Sequence, residues 1–227
     1  MTPDATAYKR AAVAALGARI VDAPAGTEAR NRVAADVAAA EGLAYVPPYD
    51  HPLVIAGQGT VGLEIAEDLP GVATVVVPVG GGGLISGIAT ALRGRLSRVR
   101  IVGVEPAAGD DTVRSLAAGE RVQVAVPQTI CDGARVQSPG ALTFPIVQRL
   151  VDDVITVGDD EVVAAMLALA RSGVYAEPTG ALSMAGALRL GLGDHAGAGA
   201  TVCVISGRNM APGEWARLCA AAAATTG

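Results

Sequence analysis

The stretch Val75-Val76-Val77-Pro78-Val79-Gly80-Gly81-Gly82-Gly83-Leu84-Ile85-Ser86-Gly87 decides how this chain folds. Three consecutive β-branched residues predict a strand covered on both faces, because a strand with one wet face would alternate apolar and polar. Four glycines follow, and a helix is expected directly after them over Leu84–Arg93. A strand that runs through glycine straight into a helix is the building unit of an α/β domain. Residues without a Cβ let backbone N–H groups converge on an anion, and the helix N-terminus adds partial positive charge. Gly80, Gly81, Gly82 and Gly83 are therefore read as a phosphate cradle. A flexible turn is the plain alternative, and four successive glycines are a costly way to build one.

Outward from this loop, strand and helix signals alternate along the chain. Helices are expected over Asp4–Leu16, Thr27–Glu41 and Val54–Asp68, and strands over Ala18–Val21, Leu43–Val46 and Ala73–Pro78. Further on come strand Val99–Val104, helix Phe144–Leu150, strand Val154–Val157, and helices Asp159–Ser172 and Thr179–Leu190. Strand Thr201–Ile205 and helix Glu214–Ala223 end the series. The pattern predicts a doubly wound α/β fold with a mostly parallel sheet. The loop Pro47–Pro52 breaks the rhythm and is read as a crossing between two lobes, residues 1–55 and 56–227. His195 falls in a soft loop, Gly191–Gly199, and is expected to face solvent.

Composition narrows the function. With 227 residues, 51% hydrophobic and 17% charged, the chain is long and apolar enough to bury a core, which excludes a disordered spacer. A net charge of −5 leaves no basic surface for nucleic acid. Cys131, Cys203 and Cys219 lie far apart and form no CxxC, which argues against a disulfide framework or zinc site and suits a reducing cytoplasm. The start MTPDATAYKR lacks the apolar core of a leader. Leu69–Leu92 carries no charge, but Pro78 and the glycines divide it, so a buried strand, loop and helix explain it better than a membrane span.

Which phosphate the loop takes is less sharply written. A dinucleotide fold calls for GxGxxG and an acidic residue roughly twenty positions later. Gly81 and Gly83 supply two glycines, Ser86 stands where the third belongs, and Glu105 is near the right distance for a ribose. An NAD-dependent oxidoreductase is thus the alternative, weakened by the fourth glycine and by Pro106. A kinase-type P-loop fails, since no Lys-Ser or Lys-Thr follows.

Beyond these patterns, Pro78–Gly87 (PVGGGGLISG) resembles the phosphate loop of the threonine dehydratase and serine racemase family, pyridoxal-phosphate enzymes of fold type II. Val54–Thr60 (VIAGQGT), Glu105–Asp111 (EPAAGDD), Thr129–Gly133 (TICDG), Glu177–Ala181 (EPTGA) and Ser206–Met210 (SGRNM) are similar to family segments in the same order. The resemblance implies that Gly80–Gly83 and the Leu84 N–H hold the cofactor phosphate, that Ser206 meets the pyridine nitrogen, and that Glu177 sits beside the ring. Glu177 is equally readable as a helix-entry acid. The resemblance also implies a Mg²⁺ or Ca²⁺ site from Glu105, the Gly109 carbonyl and Asp111, with Asp110 a spare, solvated carboxylate. Arg208 departs from the small residue common after the Ser-Gly pair.

The family's chemistry needs a lysine that forms the Schiff base, carried early in a Ser-Phe-Lys segment and followed by a Ser-Gly-Asn-His segment. Neither segment is in this chain, whose one lysine, Lys9, is expected on the surface of the first helix. No catalytic residue is therefore assigned. The implied parent activity is β-elimination of a hydroxy amino acid such as threonine or serine to a 2-oxo acid and ammonia, with racemisation the close alternative. The chain alone is expected to be inactive, as a fragment starting at an internal Met, one half of a split enzyme, or a non-catalytic remnant, the first being preferred. A homo-oligomer, or a complementing N-terminal segment or chain, is the expected partner, with no nucleic acid and no membrane.

Overall fold

A computed structural model describes residues 1–96, 98–192 and 199–225; His195 lies outside them. The elements are α1 (Ala7–Ala15), α2 (Thr27–Glu41), α3 (Pro52–Asp68), β1 (Val72–Pro78), α4 (Gly83–Arg95), β2 (Arg100–Pro106) and α5 (Asp111–Ala118). After a 3-10 turn at Asp132–Ala134 come α6 (Thr143–Leu150), β3 (Asp153–Val157), α7 (Asp159–Arg171), α8 (Pro178–Arg189), β4 (Ala200–Cys203) and α9 (Pro212–Thr225).

The four strands form one parallel sheet in the order β3-β2-β1-β4. Val75 and Val77 point into a cluster with Ile85, Ile88 and Leu92 of α4. Val76 points the other way, into a cluster with Met166 of α7 and Leu182 of α8. Each strand residue thus meets a helical layer whichever way it faces, which is why β1 reads as an unbroken apolar run. The α/β reading of the sequence is the architecture observed.

Helix α3 packs on α4 through glycine. A Cβ at Gly62 would stand 2.7 Å from the Ile88 carbonyl oxygen, and one at Gly87 would collide with the Ile55 carbonyl oxygen. The helices therefore touch backbone to backbone, and the loop that opens α4 is carried on a stiff pair. Helix α3 begins at Pro52, with the His51 side chain accepting from the Leu53 N–H at 3.2 Å.

Two expected strands are not formed. Ala18–Val21 and Leu43–Val46 join no ladder, because no strand among the described residues lies beside them. Their apolar side chains consequently meet water, Val46 at 74% exposure. Helix α5 is an addition: Asp111, read as the end of a loop, starts a helix that Gly119 closes in the left-handed conformation at φ 75°.

Candidate functional site

The carboxyl ends of the parallel strands gather the candidate residues. β1 ends in the glycine loop and β4 leads to Ser206, so the two come from neighbouring strands. Gly80–Gly83, Leu84 and Ser206 line one cleft of about 270 Å³, together with Tyr49, Thr179, Asp132 and Arg30. Such a crevice, at the carboxyl edge of an open α/β sheet, is where these folds bind ligands.

The loop supplies the chemistry of an anion site. Among the described residues, the N–H groups of Gly80 through Leu84 donate to no backbone or side-chain acceptor. Gly81, Gly82 and Gly83 are buried, so unfilled donors there would be costly. The N–H groups of Gly83 and Leu84 are orphaned by the start of α4, whose axis adds positive potential. These donors fit a phosphate group.

The same glycines are also required by the protein around them. A Cβ at Gly81 would collide with the Tyr49 ring, one at Gly83 would stand 2.8 Å from the Tyr49 Cβ, and one at Gly80 3.2 Å from the Gly133 carbonyl oxygen. Gly82 has φ 87°, which an L side chain rarely adopts. Tyr49 comes from the loop between α2 and α3 and packs over the glycine run, and its burial pushes the phenol pKa up.

Ser206 is exposed to the cleft. Glu177 takes the N-cap position of α8 without a side-chain capping bond. It lines an adjoining cleft of about 390 Å³ that shares Asp132 and Arg135 with the first. Burial raises its pKa, and Lys9 opposes the shift. Lys9 is not a free surface residue: its Nζ donates to Asp132 Oδ2 at 2.6 Å and lies 3.8 Å from Glu177 Oε2, with the side chain 24% exposed. Helix α1 buries no residue fully, and the two acids hold the Lys9 side chain at the cleft.

Glu105, Gly109 and Asp111 lie apart from both clefts. Glu105 is fully buried and accepts from the Thr112 and Val113 N–H groups, each at 3.0 Å. A carboxylate so placed cannot reach a ribose, which removes the residue that the dinucleotide alternative needs. Asp111 is also fully buried, and neither of its carboxylate oxygens has a hydrogen-bond partner. Burial first, then repulsion by Glu105, pushes its pKa up. Asp110 pairs with Arg114 at 2.8 Å. Among the described residues no group of three or more His, Cys, Asp or Glu side chains gathers as a metal site.

The sequence assigns no role to several cleft residues. Thr179 lies in the family-like segment EPTGA without a role of its own there, and its hydroxyl accepts from the Gly133 N–H at 3.0 Å and ties the two loops. Arg30 reaches the cleft from α2 with no hydrogen-bond or ion-pair partner among the described residues. Their meeting at one loop depends on how α2 and α8 are placed in the fold, which spacing along the chain does not record.

Fold and site together describe an α/β protein with a cleft of unfilled amide donors at the carboxyl edge of its sheet. Residues 1–207 match the family described as pyridoxal-phosphate dependent enzyme, and the chain belongs to that family. It is 48% identical over 170 residues to the L-threonine ammonia-lyase of Geobacter sulfurreducens, covering 74% of this chain and 42% of that protein. It is 47% identical over 189 residues to the L-threo-3-hydroxyaspartate ammonia-lyase of Saccharomyces cerevisiae, covering 83% of this chain and 58% of the relative. Maize serine racemase superposes with a TM-score of 0.86 at 34% identity, covering 100% of this chain and 70% of that one. The chain spans about half the length of the curated relatives it matches.

Proposed function

We propose that this chain forms the phosphate-binding portion of a lyase of the ammonia-lyase type that acts on a β-hydroxy amino acid with pyridoxal phosphate. The observation that carries the reading is the set of unpaired N–H groups from Gly80 to Leu84, in one cleft with Ser206. The cofactor, when bound, supplies an electron sink for charge left at the α-carbon of an amino acid.

The chain's own residues would do the rest of the positioning. The glycine amides and the α4 N-terminus would hold the phosphate. Ser206 would offer a neutral hydroxyl to the ring nitrogen, a partner that does not force a proton onto it as a carboxylic acid would. Glu177 would sit beside the ring, with Lys9 as its ion-pair neighbour. Arg30 is the unpaired cation that faces the cleft, and would meet an anionic group of the ligand. Threonine and threo-3-hydroxyaspartate, for which two relatives are named, share a hydroxyl on the β-carbon; that hydroxyl is the leaving group in this reading. A racemase reading is favoured by the maize likeness.

The same reading includes a divalent cation, Mg²⁺ or Ca²⁺, at Glu105, the Gly109 carbonyl and Asp111. The partnerless buried carboxylate of Asp111 supports it. A small lobe over residues 1–55 is supported by the two core clusters, whose members begin at Val61. Assembly with a second copy or an N-terminal segment is supported by the exposed Leu53 and Val46, and a reducing cytoplasm by the three free cysteines.

Isothermal titration of the chain tests the central assignment. Pyridoxal phosphate is expected to bind saturably and about tenfold or more tighter than pyridoxal, with inorganic phosphate competing. Equal affinity for the two aldehydes would overturn the phosphate assignment.

A further inference from the structure

The crossing between α2 and α3 does more than join two lobes. Asp50 sits in it, and its carboxylate takes the first turn of α6. Oδ2 accepts from the Ala141 N–H at 2.8 Å, while Oδ1 accepts from the N–H groups of Leu142 at 2.9 Å and Thr143 at 3.3 Å. These are the donors a helix start leaves unfilled, and a carboxylate is the group that the helix dipole favours there. The chain thus supplies its own anion to α6. A Cβ at Gly140 would collide with that carboxylate, so the fit has no slack.

Thr143 carries the connection onward. It is fully buried, and its hydroxyl donates to the Gly81 carbonyl oxygen at 2.7 Å, where the Gly140 N–H also donates at 3.3 Å. A trans peptide is planar, so the Gly82 N–H must point opposite to the Gly81 carbonyl. Holding that carbonyl toward Thr143 therefore holds the Gly82 N–H away from it. Gly82 has no side chain to fix its own torsions, and at φ 87° it is in a region where glycine alone is at ease. Without an external hold the peptide could rotate and withdraw its donor.

We propose that Asp50 and Thr143 are positioning residues that link the inter-lobe crossing to the glycine loop and aim the Gly82 N–H at the bound phosphate. The inference rests on the phosphate reading of the loop. It also makes the anion site dependent on where the crossing sits: Tyr49, next to Asp50, packs against Gly81, whose carbonyl the Thr143 hydroxyl holds. A movement of the small lobe that pulled Asp50 from α6 would release Thr143 and loosen the loop.

The test uses the chain with pyridoxal phosphate and pyridoxal as probes. Thr143→Val keeps shape and removes the donor, whereas Thr143→Ser keeps the donor. Thr143→Val is expected to weaken pyridoxal phosphate binding about tenfold and leave pyridoxal binding unchanged, with Thr143→Ser within about twofold of the unaltered chain. Asp50→Asn is expected to act in the same direction, and the double variant with Thr143→Val to be no weaker than Thr143→Val alone, as for two links of one chain. Circular dichroism identifies a variant that fails to fold, and Asp50→Asn then carries the same comparison. Undiminished phosphate discrimination in Thr143→Val or in Asp50→Asn overturns the proposal, as does an equal loss for both probes or an additive double variant. An unaltered chain that does not discriminate between the probes instead overturns the phosphate reading, and this inference with it.

Discussion

Asp111 is the residue whose surroundings ask most for an explanation. Two carboxylates, Glu105 and Asp111, are buried together with no ion-pair partner among the described residues, and only Glu105 accepts from amides there. Burying a charge without a partner costs several kcal/mol, so Asp111 at neutral pH either keeps its proton or receives a cation. The cation reading gives a specific expectation. Millimolar Ca²⁺ or Mg²⁺ should raise the melting temperature, by about 2.7 kcal/mol of stabilisation at a hundredfold excess over Kd. Asp111→Asn should abolish that response while melting at or above the unaltered chain in EDTA, since it removes a buried charge. Thermal melts with and without EDTA decide it, and a cation response that survives Asp111→Asn would remove Asp111 from the site. The residue types and spacing of this pair stood in the sequence. Their burial did not, because nothing in EPAAGDD announces that α5 begins at Asp111 and folds its first turn over Glu105.

At the scale of elements, the contact between α3 and α4 is the one that glycine makes possible. Gly87→Ala would press a methyl group into the Ile55 carbonyl, and Gly62→Ala into Ile88 and Ala91. Backbone cannot yield as a flexible side chain does, so each is expected to cost roughly 1–3 kcal/mol, or several degrees of melting temperature. Gly57→Ala, on the same helix with nothing near its Cβ, is the control and should be neutral or slightly stabilising. Melting all three variants distinguishes a packing role from a simple change in helix propensity. The helices themselves were legible, α3 and α4 to within a few residues at either end. Which glycines mattered was not, since that depends on the partner helix and not on the chain around them. The strands β1 to β4 were legible for the same reason that Ala18–Val21 and Leu43–Val46 were misread. An apolar run records that a segment wants cover, and a strand forms only where another lies beside it.

For the whole molecule, the question is what a chain with one lysine can do. Lys9 is engaged by Asp132 and Glu177 in the adjoining cleft, and no other amine side chain exists in the sequence. The chain by itself is therefore expected to form no 2-oxobutyrate from threonine, even where it binds pyridoxal phosphate. A coupled assay for the 2-oxo acid checks this, and turnover that Lys9→Arg abolishes would reassign Lys9 as the reacting amine. The placement of the glycine loop and Ser206 at one end of a parallel sheet was legible in the sequence. The roofing by Tyr49 and the contact of Asp50 with the start of α6 were not, because both depend on where the α2–α3 loop runs in the folded chain.

The order of the sheet has a bearing on how the molecule comes into being. β1 stands between β2 and β4, and Val72 pairs with Ala200 near the other end of the chain. At ribosomal rates of about 5–20 residues per second, β1 waits several seconds after its synthesis before its second neighbour exists. During that time one edge of the strand that carries the glycine loop lacks the neighbour it has in the folded sheet. Parallel pairing across such a sequence distance is also slow to close. The glycine loop is thus made before β4, and the sheet beneath it is flanked on both sides only once β4 has been added.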